Sequence, residues 1–201
     1  MSQMSDWAAA FAARHGLTLI YDTPLPGGVP AYKYEDASGA AIVVLDESMP
    51  AERQHFSLAH EAAHVLLDHR GDLSPDEEFE ANKLASELLL PDPPFSDLAY
   101  QTLRELKDAF PHASFEAIAR RRLQFVPGVL TVMDNGKVNR RVTSDKFNAP
   151  LMITPAEKEA LTQCMNLRKD IDINGNEIRL HATFVDDGRG VERVLLLVEE
   201  A

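Results

Sequence analysis

Apolar residues recur every three or four positions between Pro50 and Asp68, which is the spacing of an amphipathic helix. Proline suits the first turn of such a helix, so the pattern predicts one long helix over this stretch. A second helix is predicted from Pro75 to about Leu89, because Ser74-Pro75-Asp76-Glu77 has the pattern of a capping box. The apolar stripe of the first helix comprises Phe56, Ala59, Ala63, Leu66 and Leu67.

The chain before the long helix contains short runs of β-forming residues separated by loops rich in proline and glycine. This pattern predicts a small antiparallel sheet, preceded by one short helix. The helix is expected over Asp6–His15 and the strands over Leu17–Tyr21, Ala31–Glu35 and Ala41–Asp46.

The chain after Pro91 first continues with helical spacing and then changes to strands. Asn-Gly pairs at 135–136 and 174–175 predict two hairpins, and Thr154-Pro155-Ala156-Glu157 predicts the start of one more helix. The predicted class is α+β, with the helices grouped in the middle of the chain. The remaining elements are helices near Asp97–Phe110 and Phe115–Phe125 and a strand pair over Glu177–Val185 and Val191–Val198.

The composition argues against several function classes. The 201 residues carry a formal net charge of −12, and such an acidic surface repels phosphate, so we expect no direct nucleic-acid partner. The longest apolar run, Trp7–Ala13, is too short to cross a membrane, and the first residues lack the basic region of a signal peptide. Because Cys164 is the single cysteine, an intramolecular disulfide and a cysteine-built zinc site are excluded. We therefore expect a soluble, cytoplasmic protein.

The charge is distributed unevenly along the chain. Residues 1–125 hold 20 acidic and 10 basic side chains, whereas residues 126–201 hold 12 acidic and 10 basic ones. This shift coincides with Val126-Pro127-Gly128 and favours a domain boundary there, giving domains 1–125 and 126–201. The alternative is a loop between two layers of one domain.

The segment with the clearest chemistry is His60-Glu61-Ala62-Ala63-His64, in the middle of the long predicted helix. Residues four apart lie about 40° from each other around a helix, so the two imidazoles project from one face and can bind one Zn²⁺. Glu61 points to the side of that face, too far round to be a ligand. It is positioned to accept a proton from a water molecule at the metal, so the pattern is typical of a zinc hydrolase.

A catalytic zinc ion needs a third protein ligand. The pattern H-E-x-x-H-x-x-G-x-x-H would supply a histidine, but the sequence has Leu67 and Arg70 at the glycine and histidine positions. His69 is out of register with the pair, and we expect it to be solvated at the helix end. A glutamate of the second helix is the alternative. The candidates are Glu77, which the capping box already engages, and Glu78, Glu80 and Glu87.

Two blocks of the sequence resemble the signature of the ImmA/IrrE metallopeptidases. They are His60–His64 and Glu80–Pro91, which reads EANKLASELLLP, and Phe56–Ala59 before the first histidine also fits. The resemblance covers about residues 15–125. In that family the glutamate of the Glu-Ala-Asn block is the third metal ligand, so the resemblance implies Glu80.

The resemblance also implies a fold and a function. It implies a zincin-like helical metallopeptidase core with Zn²⁺, or Mn²⁺ or another divalent ion, bound by His60, His64 and Glu80. Glu61 would be the catalytic base of an endopeptidase that cleaves a helix-turn-helix transcriptional repressor. Residues 126–201, outside the resemblance, are expected to form a small α+β module of regulatory role. The alternative is a non-catalytic sensor or regulator with a vestigial or structural metal site.

Overall fold

The computed structural model describes residues 3–69, 73–145, 147–150, 152–188 and 190–200. The chain divides into two compact units, one formed by Met1–Phe95 with Lys107–Ser114 and the other by Ser96–Leu106 with Phe115–Ala201. Among the described residues, no helix has both the length and the apolar character needed to cross a membrane.

The first unit contains a helix, a three-stranded sheet and a pair of long helices. The sheet has the strand order β1-β3-β2, in which β1 is parallel to β3 and β2 is antiparallel to it. The main elements are α1 (Gln3–Arg14), β1 (Thr18–Asp22), β2 (Ala31–Glu35), β3 (Ala41–Asp46), α2 (Ala51–Leu66) and α3 (Pro75–Leu89).

The first sheet is mixed, which corrects the prediction that it is antiparallel. The most apolar of its strands, β3, occupies the centre, and Val43, Val44 and Leu45 are buried there. A strand whose consecutive residues are all buried is covered on both faces, which is typical of a central strand. The first strand pairs with β3 and not with the strand that follows it in sequence.

Helices α2 and α3 pack against each other through small side chains. The capping box at the start of α3 is present, with the Ser74 hydroxyl bonded to the Glu77 amide and the Glu77 carboxylate bonded to the Ser74 amide. Fully buried alanines leave little side-chain volume between the helices, and the separation of two packed helices depends on the side chains at the contact. These alanines are Ala59, Ala62 and Ala63 in α2 and Ala81 and Ala85 in α3.

The second unit is built on an antiparallel sheet of order β5-β4-β8-β7-β6. Both Asn-Gly hairpin predictions and the final strand pair are confirmed by this pairing. The central strand β8 is buried from Val194 to Val198, and α7 contributes Ala160, Leu161 and Cys164 to the apolar core. The strands are β4 (Gly128–Asp134), β5 (Lys137–Thr143), β6 (Ile171–Asn174), β7 (Ile178–Asp186) and β8 (Glu192–Glu200), and α7 spans Pro155–Leu167.

The helix predicted over Asp97–Phe110 is interrupted. The structure has α4 (Phe95–Leu98), α5 (Leu103–Ala109) and then α6 (Phe115–Arg122). Thr102 and Glu105 form a capping box that begins α5, with the Glu105 carboxylate accepting from the Thr102 amide at 2.9 Å. This cap starts a new helix inside the predicted one.

The α+β class is confirmed. Segments 96–106 and 115–125 precede the predicted boundary. They belong to the second compact unit, which also contains the second sheet. The assignment of catalysis to 1–125 and of regulation to 126–201 concerns roles and stays a prediction.

Candidate metal centre

The two histidines of α2 face each other, as their spacing predicts. The Nε2 atoms of His60 and His64 are 3.0 Å apart, and their rings meet edge to face. His64 is buried and His60 is partly buried. Helix α2 thus directs two nitrogens that could bind a metal towards one point.

The carboxylate that completes this group belongs to Glu78 of α3. Its Oε2 lies 3.5 Å from Nε2 of His60, and its Oε1 lies 3.6 Å from Nε2 of His64. One ligand atom from each of the three residues lies within 4.8 Å of the others. A metal ion can be held by three or more histidine, cysteine, aspartate or glutamate side chains that lie close together. Among the described residues, His60, His64 and Glu78 form such a group.

The structure does not bring Glu80 to the histidine pair. Its Oε2 lies 3.9 Å from Nε2 of His69, and 64% of its side chain is exposed, compared with 44% for Glu78. Residues two apart in a helix are separated by about 200°, so Glu78 and Glu80 project from opposite faces of α3. The buried Ala81 and Ala85 fix the face that packs on α2, and Glu78 lies close to that face. The position expected for Glu80 is therefore occupied by Glu78.

The distances within this group fit a tetrahedral ion. Bonds of about 2.05 Å in a tetrahedral site place two ligand atoms about 3.3 Å apart, close to the observed 3.0, 3.5 and 3.6 Å. Two imidazoles and one carboxylate are also a frequent ligand set of catalytic zinc. Among the described residues, His60, His64 and Glu78 are consequently a group that fits a bound divalent metal.

Burial favours the neutral form of both histidines, which is the form that binds a metal. It lowers the pKa of His60, an effect that the charge of Glu78 opposes. Burial and the neighbouring His60 lower the pKa of His64, again opposed by Glu78. A metal-binding imidazole must be neutral, so these shifts keep the nitrogens available near neutral pH.

Glu61 occupies a different position, to the side of the histidine pair. Burial raises the pKa of its carboxyl to about 7, although the charge of Lys33 opposes the shift. A general base works best when its pKa lies near the working pH. The environment of Glu61 thus suits proton transfer.

Two residues near the site were not assigned to it from the sequence. His69 is only 8% exposed, which corrects the expectation of a solvated helix end, and its Nδ1 lies 3.1 Å from Nδ1 of His64. Lys33 of β2 donates a hydrogen bond to the His69 carbonyl at 3.0 Å. No sequence pattern links Lys33 to the H-E-x-x-H segment, because their proximity depends on how β2 packs against α2.

Comparison with a solved structure supports the fold. A Mycobacterium tuberculosis transcriptional regulator matches over 98% of this chain and 69% of its own, with a TM-score of 0.63 and 15% identity. A comparison with proteins of established function finds no match to the sequence.

Comparison with protein families agrees with the resemblance seen in the sequence. The family model described as the IrrE N-terminal-like domain, of the M78 peptidases, matches residues 12–122, which is more than half of the chain. The matched segment includes both helices that carry the histidine and glutamate cluster. With that cluster and its neighbouring Glu61 in place, the chain belongs to the M78 peptidase family of IrrE N-terminal-like domains.

Proposed function

We propose that this chain is a metal-dependent endopeptidase in which His60, His64 and Glu78 hold a divalent ion and Glu61 transfers protons. The observation that carries the proposal is the convergence of two Nε2 atoms and one carboxylate, with the half-buried carboxyl of Glu61 nearby on the same helix as the histidines. Membership of a peptidase family supports the same activity.

The chemistry divides between the ion and the protein. A divalent ion bound there would polarise the scissile carbonyl and make a water molecule more acidic. Glu61 accepts the proton of the attacking water on its carboxylate and then gives it to the nitrogen of the leaving amine. The two neutral imidazoles and the Glu78 carboxylate leave the site with a net charge near +1, which favours the developing negative charge of the reaction.

Zinc is the ion that we propose for this site, with Mn²⁺ as the second candidate. Imidazole nitrogen suits Zn²⁺, whereas Mn²⁺ favours sites richer in oxygen. Metal content by mass spectrometry, followed by titration of the metal-free chain with each ion, tests this choice. Tighter binding of Mn²⁺ than of Zn²⁺ under the same conditions would contradict it.

The ligand set is tested by a matched pair of variants in one helix. Glu78→Ala removes a carboxylate next to the histidines and should reduce the bound metal strongly. Glu80→Ala removes an exposed carboxylate on the opposite face and should leave most of the metal bound. Loss of the ion in Glu80→Ala and its retention in Glu78→Ala would restore Glu80 as the ligand.

We further propose a helix-turn-helix transcriptional repressor as the protein substrate. The family resemblance favours it. Residues 1–125 carry 20 acidic and 10 basic side chains, so a basic DNA-binding face would be attracted at long range. This attraction weakens as salt screens the charges. The acidic charge also argues against DNA as the direct ligand.

The scissile bond should lie in an extended segment of the repressor, because a helix does not expose its carbonyls to a catalytic centre. We expect one cleavage site between helices or domains, and slow hydrolysis of generic unfolded protein. The resemblance implies that such a repressor is often encoded beside the peptidase, so the test compares a repressor encoded by the adjacent gene with casein, at low and high salt. Fast digestion of casein with the repressor intact would contradict this substrate and indicate a general peptidase.

Residues 126–201 are proposed to select the substrate or regulate the enzyme. Their 12 acidic and 10 basic side chains make them nearly neutral, unlike the acidic remainder, and a nearly neutral surface suits the docking of a partner. Hydrogen exchange with and without the repressor tests this role. Protection confined to residues 1–125 would contradict it.

A non-catalytic regulator is the second candidate function, and the fold match to a transcriptional regulator favours it. The two candidates differ in their need for Glu61. A structural or sensing metal site requires no base, whereas a peptidase depends on one.

A further inference from the structure

The C-terminal end of α2 brings His69 back over His64. The helix ends at Leu66 with Leu67 as its C-cap, and Asp68 adopts a left-handed conformation with φ of 55°. The His69 amide donates to the His64 carbonyl at 3.0 Å, and the Asp68 amide donates to the Val65 carbonyl at 3.2 Å. These two hydrogen bonds define a Schellman motif.

A Schellman motif usually places two apolar side chains in contact, at the positions that His64 and His69 occupy here. In this chain the contact is polar. The Nδ1 atoms of the two rings are 3.1 Å apart, and both residues are buried. The helix end thus joins a residue of the metal centre to a second histidine.

Nε2 of His64 faces His60 and Glu78, so binding of a metal there requires the proton of the neutral ring to lie on Nδ1. His69 offers an acceptor for that proton when its own proton lies on Nε2, which is 3.9 Å from Oε2 of Glu80. Nδ1 of His69 is then an acceptor, and Nδ1 of His64 is the donor across the 3.1 Å contact. His64 consequently keeps the lone pair of Nε2 directed towards His60 and Glu78.

We propose that His69 is a positioning residue, which fixes the tautomer and the ring orientation of His64 for metal binding. The inference rests on the proposed function, since it assigns His69 a role towards the same ion. Hydrogen bonds to the second nitrogen of a metal-binding histidine commonly set its tautomer, and their loss weakens metal affinity by about 10–100-fold. Lys33 supports this arrangement by donating a hydrogen bond to the His69 carbonyl at 3.0 Å.

Two substitutions separate this role from simple packing. His69→Leu provides the apolar side chain that a Schellman motif accepts, but it removes the acceptor facing His64. His69→Asn keeps a side-chain oxygen near the position of Nδ1. Packing alone would make the leucine variant the better replacement, whereas positioning requires the acceptor.

The first readout is zinc affinity of the full chain, measured by competition with a chelator. We expect His69→Leu to bind zinc about 10–100-fold more weakly and His69→Asn to stay near the wild-type value. Urea unfolding of the metal-free chains measures their stability separately. Wild-type zinc affinity in His69→Leu would overturn the proposal.

The second readout is the tautomer of His64 in the metal-free chain, from ¹⁵N NMR of the imidazoles. We expect its proton on Nδ1 in the wild type and a mixture of tautomers in His69→Leu. A proton on Nε2 of His64 in the wild type would overturn the proposal, even if His69→Leu failed to fold. If the wild type bound no zinc, the proposed function would fail, and this tautomer would still test the role of His69.

Discussion

The buried ion pair between Arg122 and Glu199 gives the most direct test of how the second unit is held together. The guanidinium and the carboxylate form a two-point contact, with Nη2 and Oε2 at 2.8 Å, and their side chains are 7% and 5% exposed. The same guanidinium also donates to the carbonyls of Ala99 and Gln101. Glu199→Ala would leave a buried cation with two neutral acceptors and no counter-charge. Removing one partner of such a pair costs about 3–5 kcal/mol.

Urea unfolding at neutral pH measures this cost as the loss of unfolding free energy. Glu200→Ala is the matched control, because Glu200 is the next residue of β8 and is exposed. A surface substitution of this kind should change the stability by no more than about 0.5 kcal/mol. If Glu199→Ala lost no more stability than Glu200→Ala, the reasoning about the buried pair would be refuted.

Two further predictions concern stability. A hydrogen bond from Arg193 lowers the pKa of Asp134 below its ordinary 3.8, so its stabilisation is present above that pH and is lost as the pH falls through the folded-state value. Urea unfolding across this range should show a smaller acid loss in Asp134→Asn, and an unchanged pH profile would count against the pair. Glu77→Ala removes the carboxylate that accepts hydrogen bonds from the Ser74 amide and hydroxyl, and it should lower the thermal unfolding temperature without reducing the bound metal. Loss of metal in that variant would assign Glu77 to the site.

Local signals in the sequence predicted the elements that carry the site. The capping box before Pro75 and the prolines after Leu89 gave α3 the bounds that the structure has. The spacing of His60 and His64 placed both on one face, since that relation depends only on helix geometry. These predictions succeeded because each depends on residues close together in sequence.

Predicting the third member of the cluster, Glu78, requires knowing which face of α3 packs against α2. The stripe of Ala81, Ala85 and Leu89 holds this information, because those residues are buried and Glu78 continues their face. The stripe of Glu80 and Glu87 instead marks the outer side of the helix. The buried face of α3 thus favours Glu78, whereas the acidic face favours Glu80.

The role of His69 could not be predicted from helical register, because the helix no longer continues at that residue. A left-handed residue at Asp68 reverses the chain direction, and glycine is the usual residue at that position. An aspartate there gives only a weak signal for a Schellman motif. The first sheet was misassigned for a similar reason, since the central position of β3 depends on burial by distant elements.

The measurement that tests the central claim most directly compares wild type and Glu61→Gln for bound zinc and for cleavage in the same samples. The substrates are the adjacent-gene repressor and a mixture of short fluorogenic peptides. Because Glu61 is the proposed base and lies outside the group formed by His60, His64 and Glu78, we predict that Glu61→Gln binds zinc as the wild type does and cleaves neither substrate detectably. A Glu61→Gln chain that binds zinc and cleaves at the wild-type rate would contradict the proposed peptidase mechanism.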